Sequence, residues 1–297
     1  MSLEVRSLCK SFGSKYVVQD LSFTVDEGKV FGLLGLNGAG KSTTIRMILN
    51  ILEPDRGDVL WQGQPARKVI QGHVGYLPEE RGLYQKMTVM DHLVLFARLQ
   101  GMTRSEAIAA SAIWLDRFGV AHYRDKQISE LSKGNQQKVQ FIAAIIHNPQ
   151  LLILDEPFSG LDPVNVSLFK EVFREMVKAG STIIFSSHQL EHVEELSDTI
   201  GIVHDAHMVL YGDVEQILHE QPPREIRLRA NPDDVRPHLD EGVAVETERG
   251  VLSIPIDACD PHTLLQRLVT AGVDISYFEL VRPSLADIFL QKVGGAA

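Results

Sequence analysis

Two short runs in this 297-residue sequence set phosphate-binding and acid–base side chains at chemically useful spacings. Gly35 to Thr43 reads GLNGAGKST and satisfies G-x-x-x-x-G-K-[ST] through Gly35, Gly40, Lys41 and Ser42. Glycines let a backbone close around phosphate oxygens; Asn37, Gly38 and Ala39 fill the loop between them. A helix starting after such a loop turns unpaired N–H groups and its positive end toward an anion. Lys41 can then reach the outer phosphates of a nucleoside triphosphate, and the hydroxyl of Ser42, which Thr43 follows, can ligate Mg²⁺. The second run, LLILDE from Leu151 to Glu156, is an apolar segment ending in two acids. Asp155 suits a Mg²⁺ ligand, direct or through water. Glu156 is placed to orient or deprotonate an attacking water.

These groups need a scaffold, and the surrounding residues predict one. VFGLLG (Val30 to Gly35), LLILD (Leu151 to Asp155) and TIIFSS (Thr182 to Ser187) have the continuous apolar character of buried strands. The run KSTTIRMILNIL after the phosphate loop predicts a helix. Asp162 and Pro163 predict an N-cap and first turn, with Phe169, Val172, Phe173 and Met176 as the core stripe and Gly180 as the stop. Strand, helix, strand in this order indicates a parallel sheet with helical crossovers. Two helices are expected in an insertion at about 80–132, one over Met90 to Leu99 and one over Thr103 to Phe118. The second opens with a Thr103/Glu106 capping box. After Gln221-Pro222-Pro223 the pattern becomes strand (Glu225 to Ala230), helix, strand (Val243 to Thr247), strand (Val251 to Ile256), helix (Pro261 to Ala271), strand (Ile275 to Val281). That order is βαββαβ; a last helix, Ser284 to Val293, follows.

Composition narrows the function classes. An apolar fraction of 44% and a charged fraction of 23% are those of a globular protein with a real core. Two cysteines exclude a disulfide framework and show no metal spacing. A formal charge of −10 argues against a nucleic-acid partner. The N-terminus lacks the apolar stretch of a signal peptide. No run reaches the roughly 18 apolar residues that a membrane span needs. If the protein acts on a membrane, a separate chain must therefore provide the membrane part, and the two cysteines fit a reducing, cytosolic setting.

The phosphate loop and acid pair alone fit kinases, GTPases, RecA-like motors and transporter cassettes equally. The remaining motifs discriminate. Leu131 to Gln136 reads LSKGNQ and resembles the LSGGQ signature of the ABC ATPase superfamily through Leu131, Ser132 and Gly134; Lys133 and Asn135 depart from the commonest form. SGLD, ending at Asp162, resembles that family's D-loop. His188 falls where the family has its switch histidine, and Phe12 where an aromatic stacks on adenine. The resemblance covers about residues 1–220. It implies an α/β P-loop NTPase fold with a helical insertion, followed over 223–297 by a small α+β domain. It also implies ATP and Mg²⁺ as cofactors and two cassettes paired head to tail, as a homodimer or heterodimer. Ser132 and Gly134 of one copy would cap the γ-phosphate held by Lys41 of the other, beside Asp162. His188 would hold that phosphate and the attacking water.

Val74 to Tyr84, VGYLPEERGLY, falls at the family's Q-loop, with Glu79 replacing the usual glutamine as a candidate metal ligand. This wording and the ending RPSLADIFLQK resemble a bacterial and archaeal exporter branch whose cassettes serve a separate integral-membrane permease. The alternative is a soluble ABC-type ATPase of translation or DNA maintenance. Such proteins usually carry two cassettes or long coiled-coil insertions, and this chain has one cassette and no heptad run.

Overall fold

The computed structural model describes residues 3–69, 72–80, 82–239, 246–248 and 250–294. Contacts divide the chain into two compact units, Met1–Val214 and Glu215–Ala297.

The first unit holds two sheets. Strands β1 (Leu3–Phe12), β2 (Lys15–Val25), β4 (Arg56–Trp61) and β5 (Gln64–Pro65) form an antiparallel sheet in the order β2-β1-β4-β5. The sequence reading did not anticipate this sheet. Register shifts interrupt β1 against both neighbours, and Ser7 adopts φ +46°. Such bulges break the period-two alternation by which a half-buried strand is recognised.

The second sheet runs β10-β9-β3-β8-β7-β6, with β3 (Val30–Gly35), β6 (Val74–Leu77), β7 (Leu151–Asp155), β8 (Thr182–Ser187), β9 (Thr199–His204) and β10 (His207–Asp213). All neighbours are parallel except β10, which closes one edge antiparallel. Every residue of β3, β7 and β8 is buried, as expected of central strands covered on both faces. The three strands expected from the sequence have these same bounds. Because β8 lies between β3 and β7, the loops leaving their carboxyl ends stand side by side, where open α/β sheets bind ligands.

The helix after the phosphate loop, expected over 41–52, ends at Ile48. Asn50 takes a left-handed φ of +55°. Its N–H donates to Met47 O, and that of Ile51 to Arg46 O, the two bonds of a Schellman stop. The helix Pro163–Lys178 matches expectation: Asp162 caps it, Phe169, Val172, Phe173 and Met176 are buried, and Gly180 at φ +98° ends it in the same way. In the insertion, helices Val89–Leu99 and Arg104–Arg117 follow caps at Thr88 and Thr103, the latter forming a capping box with Glu106. Phe141 stacks on Phe169 at 4.3 Å between centroids, and Phe118 meets Phe169 edge-on at 5.6 Å.

Inside the insertion His92 is buried beside Tyr84 and Phe96, with no hydrogen-bond partner at Nδ1. Burial pushes its pKa down to about 4. Between the ordinary histidine value, about 6.5, and that lowered value the unfolded chain binds a proton that the folded ring refuses. Stability must then fall as pH falls through this window. His92→Phe should therefore flatten the loss of Tm between about pH 7 and about pH 5 relative to the unaltered protein. Thermal melts followed by circular dichroism check this, and parallel curves would contradict it.

In the second unit β11 (Glu225–Arg229), β12 (Glu246–Glu248), β13 (Val251–Pro255) and β14 (Tyr277–Val281) form an antiparallel sheet in the order β12-β13-β11-β14. Helices Pro232–Val235 and Pro261–Thr270 complete the βαββαβ order, and Leu285–Gly294 follows. Ile226, Leu228, Leu252 and Ile254 from the sheet meet Leu264 and Leu268 in its core. The strand expected over Val243 to Thr247 falls partly outside the described residues; Thr247 lies in β12. The strand expected from Ile275 starts at Tyr277.

Candidate functional site: a phosphate-sized cleft over the sheet

At the end of β3 the chain turns through Leu36–Ala39 into the helix Lys41–Ile48. Two glycines are sterically required. A Cβ on Gly35 would lie 2.5 Å from Val203 O. One on Gly40, where φ is +109°, would lie 2.4 Å from Val17 O. Ala39, within the loop, is buried. Asn37, Gly38, Gly40, Lys41, Ser42 and Thr43 line a cleft of about 360 Å³ together with Val17, Glu79 and Glu156.

Lys41 is only 6% exposed. Its Nζ donates to Gly35 O at 2.8 Å and lies 3.5 Å from Glu156 Oε1. That carboxylate oxygen is buried and has no hydrogen-bond partner. The other, Oε2, meets His188 Nδ1 at 2.8 Å, while the His188 side chain stays half-exposed. A buried cation and a buried carboxylate on the cleft wall are thus joined to an accessible imidazole behind the carboxylate. Glu156 itself sits at φ +51°, an uncommon conformation for a non-glycine residue and a pointer to function.

Ser186 was not singled out in the sequence. It stands opposite Asp155 in the β7–β8 register. Its hydroxyl donates to Asp155 Oδ1 and accepts from the Glu156 backbone N–H at 3.0 Å. One side chain thereby orients both acids. The available signal was two serines ending an otherwise apolar buried strand. Gln137 and Gln140 were also passed over. Both are buried in the helix Lys133–Ile145, and polar residues three apart on a buried face were their signal.

Other expected site residues lie elsewhere in the single chain. Phe12, Ser132, Gly134 and Asp162 do not line the cleft, and neither do Asp155, buried at the end of β7, and His188, which meets it through Glu156. Phe12 is 54% exposed at the end of β1, with Lys10 Nζ 5.9 Å from its ring centroid. Ser132 and Asp162 are exposed helix caps that accept from Asn135 N and Asn165 N. The bond from Asn165 is the main cause holding the Asp162 carboxyl below the usual range. Gly134, in the first turn after Ser132, has open space where a Cβ would stand.

Comparison with known proteins gives the family. Residues 18–159 match the family described as ABC transporter, and residues 212–293 match "ATP-binding protein DrrA1-3-like, C-terminal domain". The chain is 45% identical to the ABC transporter ATP-binding protein YhaQ of Bacillus subtilis over 98% of each chain. It is 32% identical to the Nod factor export ATP-binding protein I of Paraburkholderia xenovorans over 99% of this chain and 97% of that one. A solved structure described as the ATP binding subunit of an ABC transporter matches at 33% identity with a TM-score of 0.69, covering 74% of this chain and 93% of that one. With relatives this similar along nearly its whole length, the chain belongs to the ABC transporter ATP-binding proteins, whose ATP-binding domain hydrolyses ATP to power transport.

Proposed function

We propose that this chain is the motor subunit of an exporter: two cassettes close around ATP and drive a membrane permease carried on a separate chain. The buried Lys41–Glu156 pair on a cleft lined by the phosphate loop, with His188 against the second Glu156 oxygen, carries the reading. In it Lys41 neutralises the outer phosphates, Glu156 Oε1 takes the proton of the attacking water, and His188 steadies that carboxylate and the γ-phosphate. Phe12 stacks on adenine. Ser132, Gly134 and Asp162 come to the cleft from a second copy, as a homodimer or heterodimer, which accounts for their standing away from it here. Residues 1–220 perform this chemistry, and 223–297 form a separate small domain.

No helix among the described residues is long and apolar enough to cross a membrane. A cassette acting at the cytoplasmic face of the membrane therefore takes its spanning part from its partner. Export rests on the relative named for Nod factor export. The test is co-purification: if a neighbouring gene encodes a protein with several apolar spans, the tagged chain expressed with that protein should bring it out of detergent-solubilised membranes. Recovery of the cassette alone, with full ATPase activity and no response to the permease, would favour a soluble ATPase.

Ser42 and Glu79 line the cleft and Asp155 ends β7 one residue before Glu156, so these residues would be the ones to hold Mg²⁺. Ser42, Asp155 and Glu79 offer hard oxygen donors. Among the described residues no group of three or more His, Cys, Asp or Glu could hold a metal. The ion would take its other ligands from phosphate and water, as Mg²⁺ commonly does. When bound it neutralises charge on the phosphates. Glu79 is exposed on the cleft wall and brings a full negative charge where glutamine would bring a neutral carbonyl. Glu79→Gln should then weaken the pull on the metal and raise the Mg²⁺ concentration needed for half-maximal hydrolysis in the isolated protein. An unchanged Mg²⁺ titration would instead assign Glu79 to contact with the permease.

A further inference from the structure

One helix reaches the backbone on both sides of the cleft. Lys133–Ile145 begins at its Ser132 cap and carries Gln137 and Gln140, both buried and one turn apart on the same face. Gln137 Nε2 donates to Pro157 O at 3.3 Å, immediately after Glu156. Gln140 Nε2 donates to Pro78 O at 3.2 Å and Glu80 O at 3.3 Å, the two residues flanking Glu79. The loops so held leave β6 and β7, which are parallel neighbours with Leu77 beside Leu154. The helix is also pressed against β6 directly: a Cβ on Gly75 would lie 2.1 Å from Ala144 O. Its distance from that strand is thus fixed by backbone contact, and the two amides transmit its position to both loops.

We propose that Gln137 and Gln140 are positioning residues, a crossbar that sets Glu156 and Glu79 in register with the helix that starts at Ser132. The inference rests on the roles given above to Glu156 and Glu79. A rigid-body shift of this helix moves both carboxylates together, because each glutamine bonds main-chain carbonyls rather than a side chain that could rotate away. Neither glutamine lines the cleft, so their loss acts on catalytic geometry and leaves the nucleotide contacts in place. Misplacing a reacting group by about 1 Å can cost on the order of 10²-fold in rate.

The test uses the full chain with Gln137→Met and Gln140→Met, which keep length and helix propensity but remove the donor. Gln137→Met should lower kcat by about 10–100-fold, with KM for ATP and the dissociation constant of a non-hydrolysable ATP analogue within about two-fold. Gln140→Met should shift the Mg²⁺ titration as Glu79→Gln does, and the two together should shift it no further. A lowered Tm with unchanged kcat would overturn the proposal, as would losses of kcat and analogue binding in equal measure, or additive Mg²⁺ shifts. Should Gln137→Met not fold, Gln137→Glu carries the test. Its carboxyl can donate to Pro157 O only while protonated, so turnover relative to the unaltered protein should recover as pH falls; a pH-independent deficit would overturn it. Near-normal turnover in Glu156→Gln would sink the role of Glu156 itself. Lost turnover in Glu156→Gln with none lost in Gln137→Met would sink the crossbar alone.

Discussion

Glu156→Gln should cut ATP turnover by about 10²–10⁴-fold while ATP still binds. In transition-state terms that is a barrier raised by about 3–5 kcal/mol. The amide matches the carboxylate in size, so the contacts around position 156 survive. Ser186 still accepts from the residue 156 N–H, which belongs to the backbone. Oε1, without a hydrogen-bond partner and 3.5 Å from Lys41, is the atom that loses its ability to accept a proton from water. With hydrolysis blocked, ATP should persist between two cassettes and trap them as a dimer, visible by size-exclusion chromatography with and without ATP. Turnover near that of the unaltered protein would end the assignment of Glu156 as the base.

Lys41→Ala should abolish hydrolysis and weaken ATP binding by about 10–100-fold, the equivalent of one charge-assisted hydrogen bond. Lys41 brings the cleft a buried positive charge, braced by Gly35 O at 2.8 Å. Its removal also leaves Glu156 without the cation at 3.5 Å. Two like-signed species, the Glu156 carboxylate and the triphosphate, then face each other without compensation. Isothermal titration with a non-hydrolysable analogue measures the binding loss, and phosphate release measures the turnover. Unchanged values of both would mean that the phosphate loop is not the site.

The central sheet was legible because parallel strands buried on both faces write themselves as unbroken apolar runs: VFGLLG, LLILD and TIIFSS appear as strands with the bounds read from sequence. The caps at Thr103 and Asp162 were legible for the same kind of reason, since a cap is a local bond between near neighbours. The antiparallel sheet was not legible, because the bulges of β1 destroy its alternation. Within the cleft, the phosphate loop and acid pair could be found from spacing. Ser186, Gln137 and Gln140 left only the weaker signal of polar residues on buried elements, and their roles were hidden because each acts on a partner 20 or more residues away. Spacing along the chain carries no information about such pairs until the fold brings them together.

The left-handed backbone at Glu156 has a consequence for laboratory evolution of this protein. A side chain other than glycine or asparagine in that conformation is strained, and here it also buries a carboxylate oxygen without a hydrogen-bond partner. Glycine at 156 relieves both costs but leaves the buried Lys41 ammonium without its counter-charge at 3.5 Å. Selection for heat resistance alone would therefore favour Glu156→Gly only together with loss of the Lys41 charge, yielding tougher molecules that no longer spend ATP. A thermostable version of this motor can be reached only by a screen that scores turnover in the same round.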